Sequence, residues 1–177
     1  MVILGTSGVG KTTLARSLAE RKHLRHIEVD AIFHQPNWTP LDGETFLQRV
    51  SEATSTPGWV TDGNYSIVRP LLLGRADTVL WLDYARPLTT FRVVRRTLKR
   101  ALVREELWNG NREAWTNLFR LDPEESIIRW SWTTHGHTRA TIGELLARGD
   151  LAHCTVLRFR HPKETAAWMR GLHASPF

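Results

Sequence analysis

The chain has 177 residues, of which 41% are hydrophobic and 24% are charged, and this composition is typical of one globular domain with a substantial core. No run approaches the roughly eighteen consecutive apolar residues that a membrane span requires, and the apolar start ends at Gly5, which argues against a signal peptide. Cys154 is the only cysteine, so an internal disulfide is excluded and we expect a cytoplasmic protein.

The net charge of +6 is concentrated in one segment. The window from Arg86 to Arg112 holds eight basic and two acidic residues, whereas the rest of the chain holds sixteen of each sign. A pI near 10.2 is typical of nucleic-acid-binding proteins. Because the whole excess lies in one segment, its meaning depends on what that segment contacts.

The first predicted strand, Met1–Leu4, is followed by a sequence typical of phosphate-binding loops. Residues 5–12 read Gly-Thr-Ser-Gly-Val-Gly-Lys-Thr, which matches G-x-x-x-x-G-K-[ST]. In such a loop the backbone N–H groups surround phosphate oxygens, Lys11 reaches the β- and γ-phosphates, and the Thr12 hydroxyl binds Mg²⁺. A helix predicted from Thr12 to Arg21 adds positive charge at its N-terminus. We predict that ATP is bound by Gly5, Ser7, Gly8, Val9, Gly10, Lys11, Thr12 and Thr13.

The second predicted strand, His26–Asp30, ends in a candidate acceptor-binding aspartate. A carboxylate at this position can orient or deprotonate an acceptor hydroxyl. Arg49 is the only lysine or arginine between Asp30 and Val68, whereas aromatic residues are frequent, which favours a hydroxyl-bearing and apolar or aromatic acceptor. Each tryptophan can equally belong to the core. The candidate acceptor-binding residues are Asp30, Phe33, Trp38, Asn64, Tyr65 and Arg69.

Residues 31–57 are predicted as an acceptor-binding insert. Asn37–Pro40 marks a loop, and a helix is predicted to begin at Asp42 or Gly43 and to end before Pro57.

Two further apolar strands also end in aspartates. Trp59–Thr61 is followed by Asp62, and Thr78–Leu82 is followed by Asp83. Ligands of an open parallel sheet lie beyond the carboxyl ends of its strands, so either aspartate suits a Mg²⁺-binding (Walker-B) role. Aspartates there also cap helices and favour turns, and the pattern alone does not separate the two candidates.

A long basic helix is predicted from Pro87 to about Leu107. Arg92 and Arg96 lie four residues apart and therefore on one helical face. These arginines either form a solvated basic face or meet an anion, which is a triphosphate or a nucleic-acid backbone. The opposite, core-facing stripe is predicted to contain Phe91, Val94, Leu98 and Leu102.

The segment after this helix is predicted to be a lid. Residues 108–123 show no periodicity, and we place the lid at about 104–123. Glu124–Leu146 is predicted as a helix with Gly136 as a candidate interruption, and its Arg129 and Arg139 can add positive charge above the phosphates.

A strand at Thr155–Phe159 and a helix at Lys163–Arg170 complete the predicted elements. Strands that alternate with helices imply right-handed crossovers and a parallel sheet covered on both faces. The predicted fold is therefore a three-layer α/β/α domain over residues 1–177, with a five-stranded parallel sheet and a helical lid.

On these motifs the chain resembles the adenylate-kinase-like phosphate-loop kinases and, within them, the group of DNA topology modulation proteins. The resemblance covers the chain from Ile3 to about Phe159. Its carrying features are the phosphate loop, His26–Asp30 with Trp38, Trp59–Tyr65, Ala76–Asp83, Phe91–Val93 and Ile128–Trp130.

The resemblance implies roles for several residues. Asp62-Gly63 occupies the place of the Asp-Gly pair of adenylate kinases, which makes Asp62 the expected Mg²⁺ carboxylate. The adenylate-kinase pattern continues Phe-Pro-Arg, whereas residues 64–66 read Asn-Tyr-Ser, a departure that argues against AMP as the acceptor. Arg92 and Arg96 resemble the lid-arm arginines of such kinases, with Arg129 and Arg139 as the second pair.

The leading hypothesis is an ATP- and Mg²⁺-dependent kinase that transfers the γ-phosphoryl group to a hydroxyl of a nucleoside-like or other small metabolite. A slow ATPase without an acceptor and a nucleotide-dependent nucleic-acid-binding switch are the alternatives; the basic stripe has few aromatic residues for stacking on bases. A monomer is favoured. The expected metal-binding residues are Thr12 and Asp62, and the expected catalytic residues are Lys11, Asp30, Asp62, Arg92, Arg96, Arg129 and Arg139.

Overall fold

The protein is a five-stranded parallel α/β domain in a computed structural model that describes residues 1–103, 106–111 and 127–172. The strand order is β2-β3-β1-β4-β5, and every pairing is parallel. The predicted fold class is confirmed. The strands are β1 (Val2–Leu4), β2 (Arg25–Ile27), β3 (Trp59–Asp62), β4 (Thr78–Leu82) and β5 (Thr155–Phe159).

Seven α-helices cover the sheet in the described part of the chain. Two of them, at residues 29–33 and 69–75, were not expected from the sequence. The helices are α1 (Lys11–Lys22), α2 (Val29–Phe33), α3 (Gly43–Ala53), α4 (Arg69–Arg75), α5 (Arg86–Val103), α6 (Ile127–Ala147) and α7 (Pro162–Gly171).

The sheet divides the core into two layers because successive strand residues point to opposite faces. Val2 and Leu4 of β1 pack in one layer, which also contains Phe46 of α3 and Ile142 of α6. Ile3 packs in the other layer, against side chains of α1 and α7. β1 lies between β3 and β4, so the loop that follows it emerges at the centre of the sheet.

The second strand is shorter than predicted. It ends at Ile27, and Val29–Phe33 form the short helix α2, so Asp30 lies in a first helical turn and not at the end of a strand. The residues Val29, Ile32 and Phe33 have the i, i+3, i+4 spacing of an apolar helical face, and all three pack against the core. This spacing explains why the apolar run continues as helix.

The prediction of which residues form the buried face of α5 is wrong. Phe91 is 64% exposed and Leu98 is 43% exposed, whereas Thr89, Val93 and Thr97 are fully buried. The buried face approaches the backbone of the phosphate loop, where small β-branched side chains fit and large apolar ones do not. Periodicity identified the helix but not the surface that it packs against.

The ends of the two long helices also differ from the prediction. α5 does not continue to Leu107, which is extended, and Trp108–Gly110 form a 3₁₀ turn. α6 runs without interruption through Gly136, because its packing against α5 outweighs the roughly 1 kcal/mol that a helical glycine costs. Of the predicted lid, residues 104–105 and 112–123 lie outside the described residues.

The close approach of α5 to the phosphate loop makes Gly8 sensitive to substitution. Gly8 has φ +80°, and a Cβ there would lie 2.5 Å from the Thr89 carbonyl oxygen and 2.6 Å from Val93 Cγ2. We expect Gly8→Ala to destabilise the fold by about 2 kcal/mol or more through backbone strain and this contact. Urea denaturation measures the change.

Gly143 of α6 provides the matched control, since a Cβ there meets no atom within 4 Å. Gly143→Ala should stabilise the protein by about 0.5 to 1 kcal/mol. Equal effects of the two substitutions would contradict the packing of α5 on the loop.

Candidate active site

The phosphate loop joins β1 to α1 and folds back on its own lysine. Gly5 and Gly8 have φ values of +146° and +80°, and Gly10 caps α1 in the left-handed conformation. Lys11 Nζ donates to the carbonyl oxygens of Gly5, at 2.9 Å, and Thr6, at 3.1 Å. Its ammonium is thereby held inside the loop, whose backbone turns around it.

The Lys11 ammonium lies within electrostatic reach of three other predicted site residues. Burial lowers its pKa from the ordinary value, the carboxylates of Asp30 and Asp62 oppose this decrease, and Arg96 adds to it. Asp62 ends β3 and Asp30 lies in the helix that follows β2, so both carboxylates lie at the edge of the sheet from which the phosphate loop emerges. Parallel strands with neighbouring carboxyl ends explain this convergence.

Two arginines of α5 contact the phosphate loop. Arg92 Nη1 donates to the Val9 carbonyl oxygen at 3.1 Å, and Arg96 Nη2 lies 3.5 Å from Ser7 Oγ. The Arg92 guanidinium also lies over the Tyr84 ring, 5.6 Å from its centroid. The two arginines thus project from the buried face of α5 towards the loop, and part of the basic excess lies at the predicted phosphate site.

Asp62 is buried at the end of β3 and contacts a histidine. His26 Nε2 lies 2.9 Å from Asp62 Oδ1, and His26 Nδ1 lies 3.6 Å from Glu28 Oε1. Glu28 is also bound by Arg16 and by Trp108 Nε1. The hydrogen bonds from Trp108 and Arg16 outweigh partial burial, so the pKa of Glu28 is lowered.

Asp83, the other candidate for Mg²⁺ binding, forms ion pairs with two arginines. Arg158 of β5 binds Oδ2 at 2.5 Å, and Arg139 of α6 lies 3.1 Å from Oδ1. Arg139 therefore pairs with a carboxylate at the end of β4, beside a small pocket that Thr6 also lines. Arg129 lies in α6, and its side chain is outside the described residues.

The predicted acceptor residues Asp30 and Tyr65 form a hydrogen-bonded pair. Tyr65 OH donates to Asp30 Oδ1 at 2.6 Å and lies 3.3 Å from His34 Nε2. Burial, the Asp30 charge and this hydrogen bond all raise the pKa of Tyr65, which stays protonated as a donor. Burial lowers the pKa of His34, although the Asp30 carboxylate opposes the shift.

Aromatic rings surround this pair. The Phe33 ring contacts the rings of Tyr65 and Phe46 at centroid distances of 4.7 and 5.0 Å. The His34 ring contacts Trp38 edge-on at 5.2 Å, so Trp38 lies at the margin of the same cluster. Phe33 is therefore part of the wall that holds Tyr65.

Three unsatisfied polar groups lie in or near the loop that follows β3. Asn64 Oδ1, Arg69 Nε and His34 Nδ1 are buried and have no hydrogen-bond partner within the described residues. Arg69 Nη2 donates to the Asn64 carbonyl oxygen at 3.1 Å, and burial lowers the Arg69 pKa. Buried polar atoms without partners are uncommon, and they indicate where a ligand or water would bind.

A segment that the sequence did not connect with this region is docked against it. We call residues 106–111 the Trp108 segment and residues 28–38 the acceptor segment. Trp108 stacks on the His34 ring at 6.0 Å, and Asn109 Nδ2 donates to the carbonyl oxygens of Ala31 and His34. Asn111 Nδ2 donates to the Gln35 carbonyl oxygen at 2.9 Å.

The remaining predicted nucleotide-binding residues lie along the loop and the start of α1. Val9 is buried, and Ser7, Gly10 and Thr12 are partly exposed. Thr13, on the next position of α1, is exposed. Sequence reasoning missed His26, Glu28 and Trp108, whose contacts bridge positions up to 80 residues apart.

Comparison with known proteins identifies the fold class. No family model matches the chain, and no curated protein matches it. Among solved structures, a gluconokinase from Sinorhizobium meliloti 1021 aligns with a TM-score of 0.51 and 17% identity, covering 98% of this chain and 90% of that one. A shikimate kinase from Bacteroides thetaiotaomicron aligns with a TM-score of 0.49 and 12% identity, covering 98% and 95%.

The architecture is thus a five-stranded parallel α/β fold similar to that of the gluconokinase. At 17% identity the likeness extends to the fold alone. Membership in the DNA topology modulation group stays a prediction. No helix within the described ranges is long and apolar enough to cross a membrane.

The environment of His34 predicts a pH dependence of stability. Its folded-state pKa lies below the ordinary value of 6.5, so protonation favours the unfolded chain. The stability contributed by neutral His34 is complete above pH 6.5 and is lost as the pH falls towards the folded-state pKa. We expect His34→Gln to lose less unfolding free energy than the wild type between pH 7.5 and pH 5.5 in urea titrations. Identical losses would contradict the burial of a neutral imidazole.

Proposed function

We propose that the protein transfers the γ-phosphoryl group of ATP to a hydroxyl of a small molecule. The observation that carries this proposal is the position of the phosphate loop, which holds Lys11 at the same edge of the sheet as Asp62, at the end of β3, and Asp30, in the helix after β2. A phosphate-loop lysine, a metal-type carboxylate and a carboxylate that is hydrogen-bonded to a tyrosine are the parts that in-line transfer needs. Their convergence at one edge of the sheet supports a kinase more than a protein that only binds nucleotide.

On the nucleotide side, backbone N–H groups of residues 5–13 would bind the phosphates. Binding requires Lys11 to exchange the carbonyl oxygens of Gly5 and Thr6 for phosphate oxygens. Arg92 and Arg96 would then face the γ-phosphate from α5, where their charge stabilises the charge of the transition state.

The residues at this site fit a magnesium ion. The Thr12 hydroxyl and the Asp62 carboxylate provide oxygen ligands, which Mg²⁺ prefers. In proteins Mg²⁺ is commonly coordinated by one or two such side chains and by the phosphates of the substrate. Bound Mg²⁺ neutralises charge on the β- and γ-phosphates. Asp62 suits this role better than Asp83, because two arginines pair with both Asp83 oxygens.

On the acceptor side, the oxygen of the acceptor hydroxyl would form a bond to the γ-phosphorus. Asp30 would receive the proton that this hydroxyl loses. The bond between that phosphorus and the β–γ bridging oxygen breaks, and ADP leaves. Tyr65 donates to one Asp30 oxygen. This hydrogen bond would orient the carboxylate so that its other oxygen receives the acceptor proton. Asn64 Oδ1 and Arg69 Nε, buried without partners among the described residues, would bind the acceptor's polar groups.

The supported acceptor is a small hydroxyl compound, and nucleoside-like molecules are candidates because aromatic rings line this region. Arg139 is paired with Asp83, so a role on the phosphates would require it to leave that carboxylate. We also propose that Arg129 adds positive charge above the phosphates and that the chain belongs to the DNA topology modulation group.

The first test is a screen of metabolites with γ-labelled ATP and Mg²⁺. We expect one hydroxyl compound to gain the label, and Lys11→Ala to lower this transfer at least about a hundredfold, because it removes the cation at the transferred group. Lys163→Ala is the matched control, since Lys163 is exposed at the start of α7.

The screen also separates the alternatives. Release of labelled phosphate without a labelled product would identify an ATPase. An unchanged transfer rate in a folded Lys11→Ala protein would contradict the assignment of the phosphate site.

A second prediction concerns Arg92. We expect Arg92→Ala to lower kcat about a hundredfold while changing ATP affinity only a few-fold, because charge on the transferred group is greatest in the transition state. Steady-state kinetics and calorimetry measure the two quantities. Arg95→Ala, at an exposed position of the same helix, should leave both near their wild-type values. A larger loss in affinity than in kcat would assign Arg92 to ground-state binding.

A further inference from the structure

His26 is the side chain in contact with the proposed metal carboxylate. Its Nε2 lies 2.9 Å from Asp62 Oδ1, and both side chains are largely buried, with exposed fractions of 13% and 4%. Because a carboxylate accepts hydrogen bonds, the His26 ring is the donor in this pair. The hydrogen bond fixes one Asp62 oxygen and thereby the direction of the other.

The His26 ring faces a second carboxylate on its other side. Nδ1 faces Glu28 Oε1 at 3.6 Å, and Arg16 binds the same Glu28 oxygen. Trp108 Nε1 donates to the second oxygen, Oε2. Both oxygens of Glu28 are therefore engaged, and its position depends on where the Trp108 segment docks.

These contacts form one continuous path through the site. The Trp108 segment contacts the acceptor segment through the His34 ring and through the backbone carbonyls of Ala31, His34 and Gln35. The Trp108 segment also contacts Glu28 through the Trp108 indole. Glu28 faces His26, and His26 is hydrogen-bonded to Asp62. The acceptor side and the metal side of the site are thus joined by hydrogen bonds, a ring contact and the 3.6 Å approach of His26 to Glu28.

We propose that His26 is a positioning residue for Asp62, and that Glu28 and Trp108 set the orientation of the His26 ring. The inference rests on the proposed function, because it takes Asp62 as the metal carboxylate. Partners that orient a metal ligand commonly change metal affinity without touching the ion. Docking of the Trp108 segment therefore affects the metal side of the site as well as the acceptor side.

The test measures metal binding without phosphotransfer. Mn²⁺ binding to the full-length protein with the non-hydrolysable ATP analogue AMPPNP is followed by electron paramagnetic resonance. AMPPNP affinity in EDTA is measured separately by calorimetry. We expect His26→Ala to weaken Mn²⁺ binding about tenfold and to leave the metal-free AMPPNP affinity unchanged.

Three further variants distinguish positioning from a general structural role. His26→Gln keeps an N–H donor and should recover most of the Mn²⁺ affinity, and Asp62→Asn should show the largest loss. Trp108→Phe keeps an aromatic ring beside His34 but removes the donor to Glu28, and it should weaken Mn²⁺ binding less than His26→Ala does. His153→Ala is the matched control, since His153 Nε2 lies 3.0 Å from a backbone carbonyl oxygen, that of Leu73.

Several results would overturn the proposal. They are an unchanged Mn²⁺ affinity in His26→Ala, an equal loss of Mn²⁺ and metal-free AMPPNP affinity, no recovery in His26→Gln, or no effect of Asp62→Asn. A wild-type Mn²⁺ affinity in Trp108→Phe would overturn the link to the Trp108 segment. Because the assay contains no acceptor, its outcome is independent of whether the metabolite screen finds a phosphorylated product.

Discussion

The site depends on the burial of one cation, the Lys11 ammonium. Two backbone carbonyl oxygens of the phosphate loop hold it, and the charges of Asp30 and Asp62 offset the cost of its burial. A charge removed from water is tolerated when it is paired and hydrogen-bonded, so the position of Lys11 depends on the loop and on the strand ends beside it. The parallel sheet satisfies this condition because β1 lies beside β3, and β3 beside β2.

The parts of the fold that local sequence determines were predictable. The sequence predicted all five strands, although β2 ends earlier than expected, and the glycine-rich pattern located the loop between β1 and α1. The Asp30–Tyr65 contact brings together two predicted acceptor residues, because turns after β2 and β3 lie side by side in any parallel sheet with this strand order. The strand order therefore places residues from separate sequence motifs side by side in one candidate site. The roles of these residues stay predictions.

What the sequence did not predict depends on long-range packing. The apolar periodicity of α5 indicated Phe91 as a core residue, yet the face bearing Val93 is buried, because the partner surface is the glycine backbone of the loop. The contacts of Trp108 with Glu28 and His34 join segments about 80 residues apart, and no local pattern indicates them. Such contacts depend on where a loop returns to the sheet, which periodicity does not report.

The distribution of arginines clarifies the meaning of the net positive charge. Arg92 and Arg96 point to the phosphate loop, whereas Arg139 and Arg158 pair with the buried Asp83. Arg139 of α6 and Arg158 of β5 compensate the buried Asp83 carboxylate that follows β4, which would be an unpaired buried charge without them. The same residue type therefore serves two purposes within one domain. The part of the excess on α5 that Arg92 and Arg96 contribute lies beside the loop that holds Lys11.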